Sequence, residues 1–212
     1  MSFSELGLDP AVLLALTSVG YENPTPVQAK AIPAALAGQD MLVSSFTGSG
    51  KTAAYLLPVL HTLEADMREH EAAEKAAYEA EVEAAKMRGE VPPKKAKRKD
   101  PTSNRNFKPA TPGALIVCPT RELAQQVADD AIDLVRHMRG VRIASVIGGM
   151  PYQLQVAKLQ NATLIVATPG RLLDLIEQRA LTLKELEIFV LDEADQMMDL
   201  GFIKPLTRVA AL

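Results

Sequence analysis

Only one cysteine, Cys118, occurs among 212 residues, which excludes a disulfide framework. It lies in the apolar run Ala114-Leu115-Ile116-Val117-Cys118 and reads as a buried strand residue. No uninterrupted apolar stretch is long enough to span a bilayer. Met1-Ser2-Phe3-Ser4-Glu5 has neither a charged leader nor an apolar signal core. These absences lead to the expectation of a reduced, cytoplasmic protein without a membrane partner. His61, His70 and His137 are scattered without metal-ligand spacing and read as surface or helix residues. There is no internal repeat. A basic excess is also lacking, the net charge being −3, although a local basic groove is compatible with that average.

What is present is a composition 48% hydrophobic and 23% charged, suited to one large domain with a sizeable core. Asp9-Pro10 and Thr25-Pro26 each pair a capping residue with a proline at the first helical position. They predict two helices, with Val12, Leu13 and Leu16 inward in the first and Val27, Ala31 and Ile32 inward in the second. Then strands and helices alternate. Met41–Val43, Ala114–Cys118, Ile143–Ile147, Thr163–Ala167 and Ile188–Leu191 are short apolar runs. Helices are expected from Thr52, over Arg121–Met138, from about Tyr152 and over Arg171–Gln178. Continuous apolar strands joined through helices imply a parallel sheet covered on both faces. The predicted fold is therefore an α/β three-layer sandwich, in which ligands sit at the carboxyl ends of strands. Met197, Met198, Leu200 and Phe202 are expected to face the core.

From about Asp66 to Pro112 no strand is expected. Glu64 through Arg88 is rich in Ala, Glu and Lys, with pairs such as Glu64/Arg68 and Glu71/Lys75. It predicts a continuation of the helix from Thr52 into solvent. After Pro92-Pro93 comes a basic run, Lys94, Lys95, Lys97, Arg98 and Lys99, readable as solvated charge or as an accessory RNA contact. Thr102 to Pro112 has a loop composition.

Two constellations carry chemistry. Thr47-Gly48-Ser49-Gly50-Lys51-Thr52 follows an apolar strand and opens a helix, the setting of a phosphate-binding loop. Its glycines let backbone N–H groups close on phosphate oxygens at a helix N-terminus. Lys51 is placed to reach the β- and γ-phosphates, and the Thr52 hydroxyl to hold Mg²⁺. The general pattern asks for glycine where Ser45 stands. The second constellation is Asp192-Glu193-Ala194-Asp195 after Phe189-Val190-Leu191. By itself it reads equally as an acidic turn capping the next helix. Beside the glycine loop it becomes the acidic element of an NTPase, with Asp192 for Mg²⁺ and Glu193 to orient and deprotonate water.

Asp192 to Asp195 spells the motif that names the DEAD-box family of RNA helicases, and the sequence resembles the first RecA-like domain of that family. Gly20-Tyr21 and Pro24-Thr25-Pro26-Val27-Gln28 resemble the Q motif. Pro119-Thr120-Arg121-Glu122-Leu123-Ala124 resembles motif Ia, Gly148-Gly149 the glycine doublet, and Thr168-Pro169-Gly170-Arg171 motif Ib. The resemblance runs from Phe3 to about Phe202, apart from the segment 66–112. In this family alanine usually stands where Ser45 does, which favours it over other phosphate-loop classes.

The resemblance implies an ATP site formed by Phe3, Tyr21, Thr25, Gln28, the loop Ser45, Phe46, Thr47, Gly48, Ser49, Gly50, Lys51 and Thr52, and Asp192 and Glu193. Gln28 would read the adenine edge, since an amide offers one donor and one acceptor in a plane. Tyr21 would stack on the base with Phe3 nearby, although both also read as core aromatics. Pro119, Thr120, Arg121, Gly149, Thr168, Pro169, Gly170 and Arg171 would line an RNA track that recognises backbone with little sequence specificity. Taken without the resemblance, Arg121 and Arg171 are surface arginines at helix starts.

The expected organisation is a Q-motif helical region over 1–38 and a RecA-like domain over 39–212. No Ser-Ala-Thr follows Asp195, so the expectation is a domain cut before motif III, with its arginine fingers on a second RecA-like domain of a longer protein. The expected activity is ATP-driven RNA unwinding or RNP remodelling by that longer protein. The alternative is an ATP-dependent RNA-binding module without turnover.

Overall fold

The computed structural model describes residues 2–94 and 108–211. Most of the basic run (Lys95, Lys97, Arg98, Lys99) lies outside the described residues. A 3₁₀ turn, Phe3–Leu6, leads into α1 (Pro10–Ser18) and α2 (Pro26–Leu36). Asp9 caps α1 by accepting from the Ala11 N–H at 2.8 Å. Thr25 caps α2, and Gln28 returns the bond to the Thr25 N–H at 3.0 Å, a reciprocal capping box. Both helix starts agree with the cap-then-proline reading.

The rest alternates: α3 (Lys51–Met87), β1 (Ala114–Val117), α4 (Arg121–Leu134), β2 (Ile143–Val146), α5 (Tyr152–Leu159), β3 (Leu164–Ala167), α6 (Pro169–Glu177) and β4 (Ile188–Leu191). Two short helices follow, α7 (Ala194–Asp199) and α8 (Ile203–Ala210). The sheet order is β2-β3-β1-β4 with every pairing parallel. β1 and β3 are buried along their whole length. Because side chains alternate across a strand, their residues divide between two cores. Ala114, Ile116, Leu164 and Val166 pack with Leu56 and Leu60 of α3 and Val127 of α4. Leu115, Val117, Ile165 and Ala167 pack with Leu172 and Leu175 of α6, Met197 and Val209. Helices thus cover both faces, the three-layer sandwich expected from continuous apolar strands.

Three expectations need correction. Met41–Val43 forms no strand, and Leu42 is exposed. A three-residue run holds its conformation only by pairing, and this one has no ladder with β4, which is left as a sheet edge. The described sheet therefore has four strands, not five. Met198 and Leu200 are exposed while Met197 is buried: Met198 is adjacent to Met197 and so lies off its face, and Leu200 is the C-cap, past the end of the helix. Finally, the packed body extends into the segment read as an insertion. Met67 lies against Gly140, Ala110 bridges Leu181, and the Glu187 N–H donates to the Gly113 carbonyl at 2.9 Å. Cys118 is buried as expected. Burial, with Asp192 and Glu193 nearby, pushes its thiol up to about 12, so it is an unreactive core side chain.

The first half of α3 belongs to the core through Ala53, Leu56, Leu57, Leu60 and Leu63, at the three- and four-residue spacing of one helical face. At the boundary, Glu64 is buried; Arg68 lies 3.9 Å from it and also pairs with Asp9. The Asp9 N–H donates to His61 Nδ1 at 3.0 Å, so α1 is tied to α3 by polar contacts as well as apolar ones. Burial pushes the Glu64 carboxyl above its usual range. Past Arg68 most of the helix is exposed until Ala85. There the chain turns back and the Tyr78 hydroxyl donates to the Pro93 carbonyl at 3.1 Å. Among the described residues no helix is long and apolar enough to cross a membrane.

Since the distal helix contributes little to either core, replacing residues 69–107 with a flexible linker of about ten residues, ample in reach, should shift Tm by less than about 3 °C. Differential scanning calorimetry checks this; a larger drop would mean that the arm supports the body.

Candidate functional site

The nucleotide-site candidates converge on the start of α3. Gly48 and Gly50 have φ of +79° and +89°, values that L side chains adopt only with strain. The loop is held from one side by α2. Gln28 Nε2 donates to the Gly50 carbonyl at 3.1 Å, and a Cβ on Gly50 would stand 2.5 Å from that same nitrogen. Gly50 is thus required by backbone conformation and by the close approach of Gln28. The buried Gln28 amide uses its oxygen on Thr25 and one N–H on the loop. One N–H and one lone pair remain for another partner. Lys51 Nζ donates to the Ser45 carbonyl across the loop. Ser49 is buried and its Oγ has no partner, an orphaned polar atom within the loop. Phe46 and Thr47 are exposed.

On the other side stands the end of β4. The Asp192 N–H extends the ladder by donating to the Val117 carbonyl at 2.9 Å. The chain then turns at Glu193, whose φ and ψ are both 51°. A non-glycine residue in the left-handed region costs of order 1–2 kcal/mol, and here it separates a buried Asp192 from a half-buried Glu193. The Tyr55 hydroxyl donates to Asp192 Oδ2 at 2.8 Å. Burial and the adjacent carboxylate push the phenol's ionisation up, so it stays a donor. Tyr55 is one turn beyond Thr52 on α3.

These residues fit a magnesium ion shared with phosphate. Among the described residues no three His, Cys, Asp or Glu side chains cluster as a metal site. One hydroxyl and one carboxylate are the sparse donor set of a cation that keeps several waters and takes phosphate oxygens. Near the 3₁₀ turn, Phe3 and Tyr21 stack with ring centroids 6.5 Å apart and planes at 22°. Phe3 is buried and Tyr21 is 46% exposed, which leaves a supported aromatic platform.

The remaining candidates meet at the carboxyl ends of β1, β2 and β3. Pro119, Thr120, Arg121, Gly148, Thr168, Gly170 and Arg171 line one open groove of about 560 Å³. Thr120 caps α4 by accepting from the Leu123 N–H at 3.2 Å, and Thr168 occupies the N-cap of α6. Pro169 is buried beneath, at the first turn of α6. The Arg121 guanidinium lies over the glycine doublet: a Cβ on Gly148 would be 2.9 Å from Nη2, and one on Gly149 3.2 Å from Nη1. Arg171 donates to the Met150 carbonyl at 3.0 Å and to Gln155 Oε1. Arg171 is therefore anchored to the 147–150 turn, while Arg121 is exposed and lies against the glycine doublet. Glu122 and Asp174 also line the groove.

The sequence matches the DEAD/DEAH box helicase family over residues 25–212. The chain belongs to that family. It is 36% identical over 211 residues to the ATP-dependent RNA helicase DeaD of Escherichia coli (strain K12), covering 99% of this chain and 27% of that protein. The DeaD protein of Haemophilus influenzae is 36% identical over 212 residues, with 28% of its length covered. The chain thus spans about a quarter of the length of these relatives. Among solved structures, the RNA helicase Prp28 from Chaetomium thermophilum, bound to ADP, superposes with a TM-score of 0.72 at 36% identity, covering 98% of this chain and 42% of that one. A DEAD box protein from Methanococcus jannaschii gives 0.72 at 32% identity, covering 99% and 46%.

Two residues of this DEAD-box domain escaped the sequence reading. Tyr55 was hidden among the apolar positions of α3, although one turn beyond Thr52 is where a side chain can reach the same site. Gln155 is fully buried; its Nε2 donates to the Ile147 carbonyl at 3.1 Å while its oxygen accepts from Arg171. Its signal was a polar residue at a core position of α5.

Gly50→Ala should destabilise the domain by about 2–4 kcal/mol, combining left-handed strain with displacement of Gln28. Gly38→Ala, also at positive φ but with nothing within 4 Å of its Cβ, should cost only the strain, about 1–2 kcal/mol. Urea unfolding of both variants measures the gap, and equal losses would show that the Gln28 contact contributes nothing.

Proposed function

We propose that this chain is the ATP-binding, first RecA-like domain of an RNA helicase, and that the longer protein couples ATP hydrolysis to RNA unwinding or RNP remodelling. The observation that carries the reading is the meeting of the phosphate loop and Asp192 through Tyr55, beside a groove built at the carboxyl ends of neighbouring strands. Family membership and the names of the DeaD relatives support it, as does the ADP-bound Prp28 structure. On this reading 1–38 is the Q-motif region and 39–212 the RecA-like body. RNA, the second RecA-like domain of the same protein and a cytoplasmic setting complete the proposal.

The side chains divide the work by chemistry. Tyr21, supported by Phe3, offers a stacking face, and Gln28 offers its remaining donor and acceptor to the adenine edge. The loop N–H groups of Gly48 to Thr52 and the Lys51 ammonium bind phosphate oxygens. Thr52 and Asp192 would hold Mg²⁺, which supplies charge neutralisation on the phosphates when bound. Glu193, set apart from Asp192 by the left-handed turn, orients the attacking water and takes its proton. In the groove, the N-termini of α4 and α6 together with Arg121 and the anchored Arg171 contact RNA phosphates, a mode with little base specificity. Arginine fingers for the developing charge are assigned to the second domain. Residues 1–212 by themselves are therefore proposed to bind nucleotide without RNA-stimulated turnover, arginine stabilisation being worth roughly 10³–10⁵ in rate.

Lys51→Ala should weaken ATP binding about 10- to 100-fold, as expected for a lost hydrogen bond to a charged group. Adenosine binding should be nearly unchanged. Isothermal titration checks both, and equal losses would point to a damaged fold. In the full-length protein Glu193→Gln should retain ATP binding and abolish phosphate release; continued turnover would remove Glu193 from the base role.

Arg121→Ala should lower the RNA affinity of the full-length protein and reduce the slope of log affinity against log salt by about 1. Fluorescence anisotropy with a single-stranded RNA at several salt concentrations reads both quantities. An unchanged slope would take Arg121 out of phosphate contact.

A further inference from the structure

The phosphate loop and the acidic strand end are contributed by segments far apart in sequence, and the side chain that joins them is Tyr55. Its hydroxyl donates to Asp192 Oδ2 at 2.8 Å across 137 residues of chain. The ring packs against the apolar core, where a phenylalanine would fill the same space. Packing alone therefore gives no reason for the hydroxyl. Asp192 is itself buried, with 9% exposure, so its carboxylate has few orientations and the phenol selects among them.

Tyr55 stands one turn beyond Thr52, the other metal-holding candidate, on the same helix. A carboxylate with Oδ2 held by the phenol keeps Oδ1 as an acceptor for a cation. One hydroxyl thus fixes the rotamer of Asp192 relative to the helix that carries Thr52. We infer that Tyr55 is a positioning residue that preorganises Asp192 for magnesium, so that its hydroxyl sets the metal dependence of nucleotide binding. This inference rests on the reading of the site as an ATP–magnesium site.

Tyr55→Phe in the full-length protein tests it. The readout is the affinity of a fluorescent, non-hydrolysable ATP analogue across a series of Mg²⁺ concentrations and in EDTA, with the thermal midpoint measured without either ligand. The expected result is a rise of about 10-fold or more in the Mg²⁺ concentration that gives half of the metal-induced tightening, the order expected from one hydrogen bond to a charged group. Affinity in EDTA should stay within about two-fold, because the aromatic ring and the phosphate loop are retained. An unchanged Mg²⁺ midpoint, or a lower one, overturns the inference, the latter because the phenol would then compete with the metal. Equal losses with and without Mg²⁺, accompanied by a lower thermal midpoint, overturn it in favour of a purely structural bond. If the unmodified protein shows no magnesium-dependent affinity, the ATP–magnesium reading falls and takes this inference with it.

Discussion

Parallel pairing of β3 and β4 on either side of β1 is the constraint on which both candidate sites depend. Parallel strands deliver all their carboxyl ends to one edge of the sheet. Here the residues just beyond those ends are Pro119 to Arg121 after β1, Ile147 to Met150 after β2, Thr168 to Arg171 after β3, and Asp192 to Asp195 after β4. The register Val117↔Ala167 and Val117↔Leu191 brings three of these turns level. A slip of one residue would turn each strand's side chains to the opposite core. The full burial of β1 and β3 on both faces forbids that.

Each turn at that edge is then fixed by a specific device. After β1 and β3 the chain goes directly into helices that start at Thr120, which caps α4, and at Thr168, which occupies the first position before α6; both helix N-termini face the groove. After β2 the glycine doublet admits the Arg121 guanidinium against bare backbone. Gln155 carries the carbonyl of Ile147 on one end of its amide and Arg171 on the other. After β4 the left-handed Glu193 divides two adjacent carboxylates between different surroundings. Arg171 is held in place before any ligand arrives, so less side-chain freedom is lost if the groove is occupied.

The phosphate loop is the exception, because the segment before it, 39–46, is not part of the sheet. Its position comes instead from contacts on both flanks. Gln28 of α2 bonds the Gly50 carbonyl, and Tyr55 of α3 bonds Asp192. The region before the loop is thereby coupled to the loop's geometry through Gln28, for which the family resemblance implies an adenine contact. Half of the amide's hydrogen-bonding capacity is used on Thr25 and Gly50.

Periodicity and short motifs determined much of this by themselves. Ile188–Leu191 was legible to the residue as a short apolar run in a strand–helix alternation, and its acidic end gained meaning only beside the glycine loop. The caps at Asp9 and Thr25 were legible because capping is local chemistry. The glycine loop was readable as residue types at fixed spacing, while the groove residues were reached only through the family resemblance. What the tertiary structure decided is whatever depends on residues distant in sequence. Met41–Val43 has the composition of a strand, but a strand exists only with a neighbour to pair with, and none pairs there. The true edge of the arm was invisible because Met67 and Ala110 are held by Gly140 and Leu181. The anchoring of Arg171 by Gln155 and of Asp192 by Tyr55 was equally hidden. A hydroxyl or an amide at an otherwise apolar position acquires meaning only when the fold brings its partner within hydrogen-bonding distance.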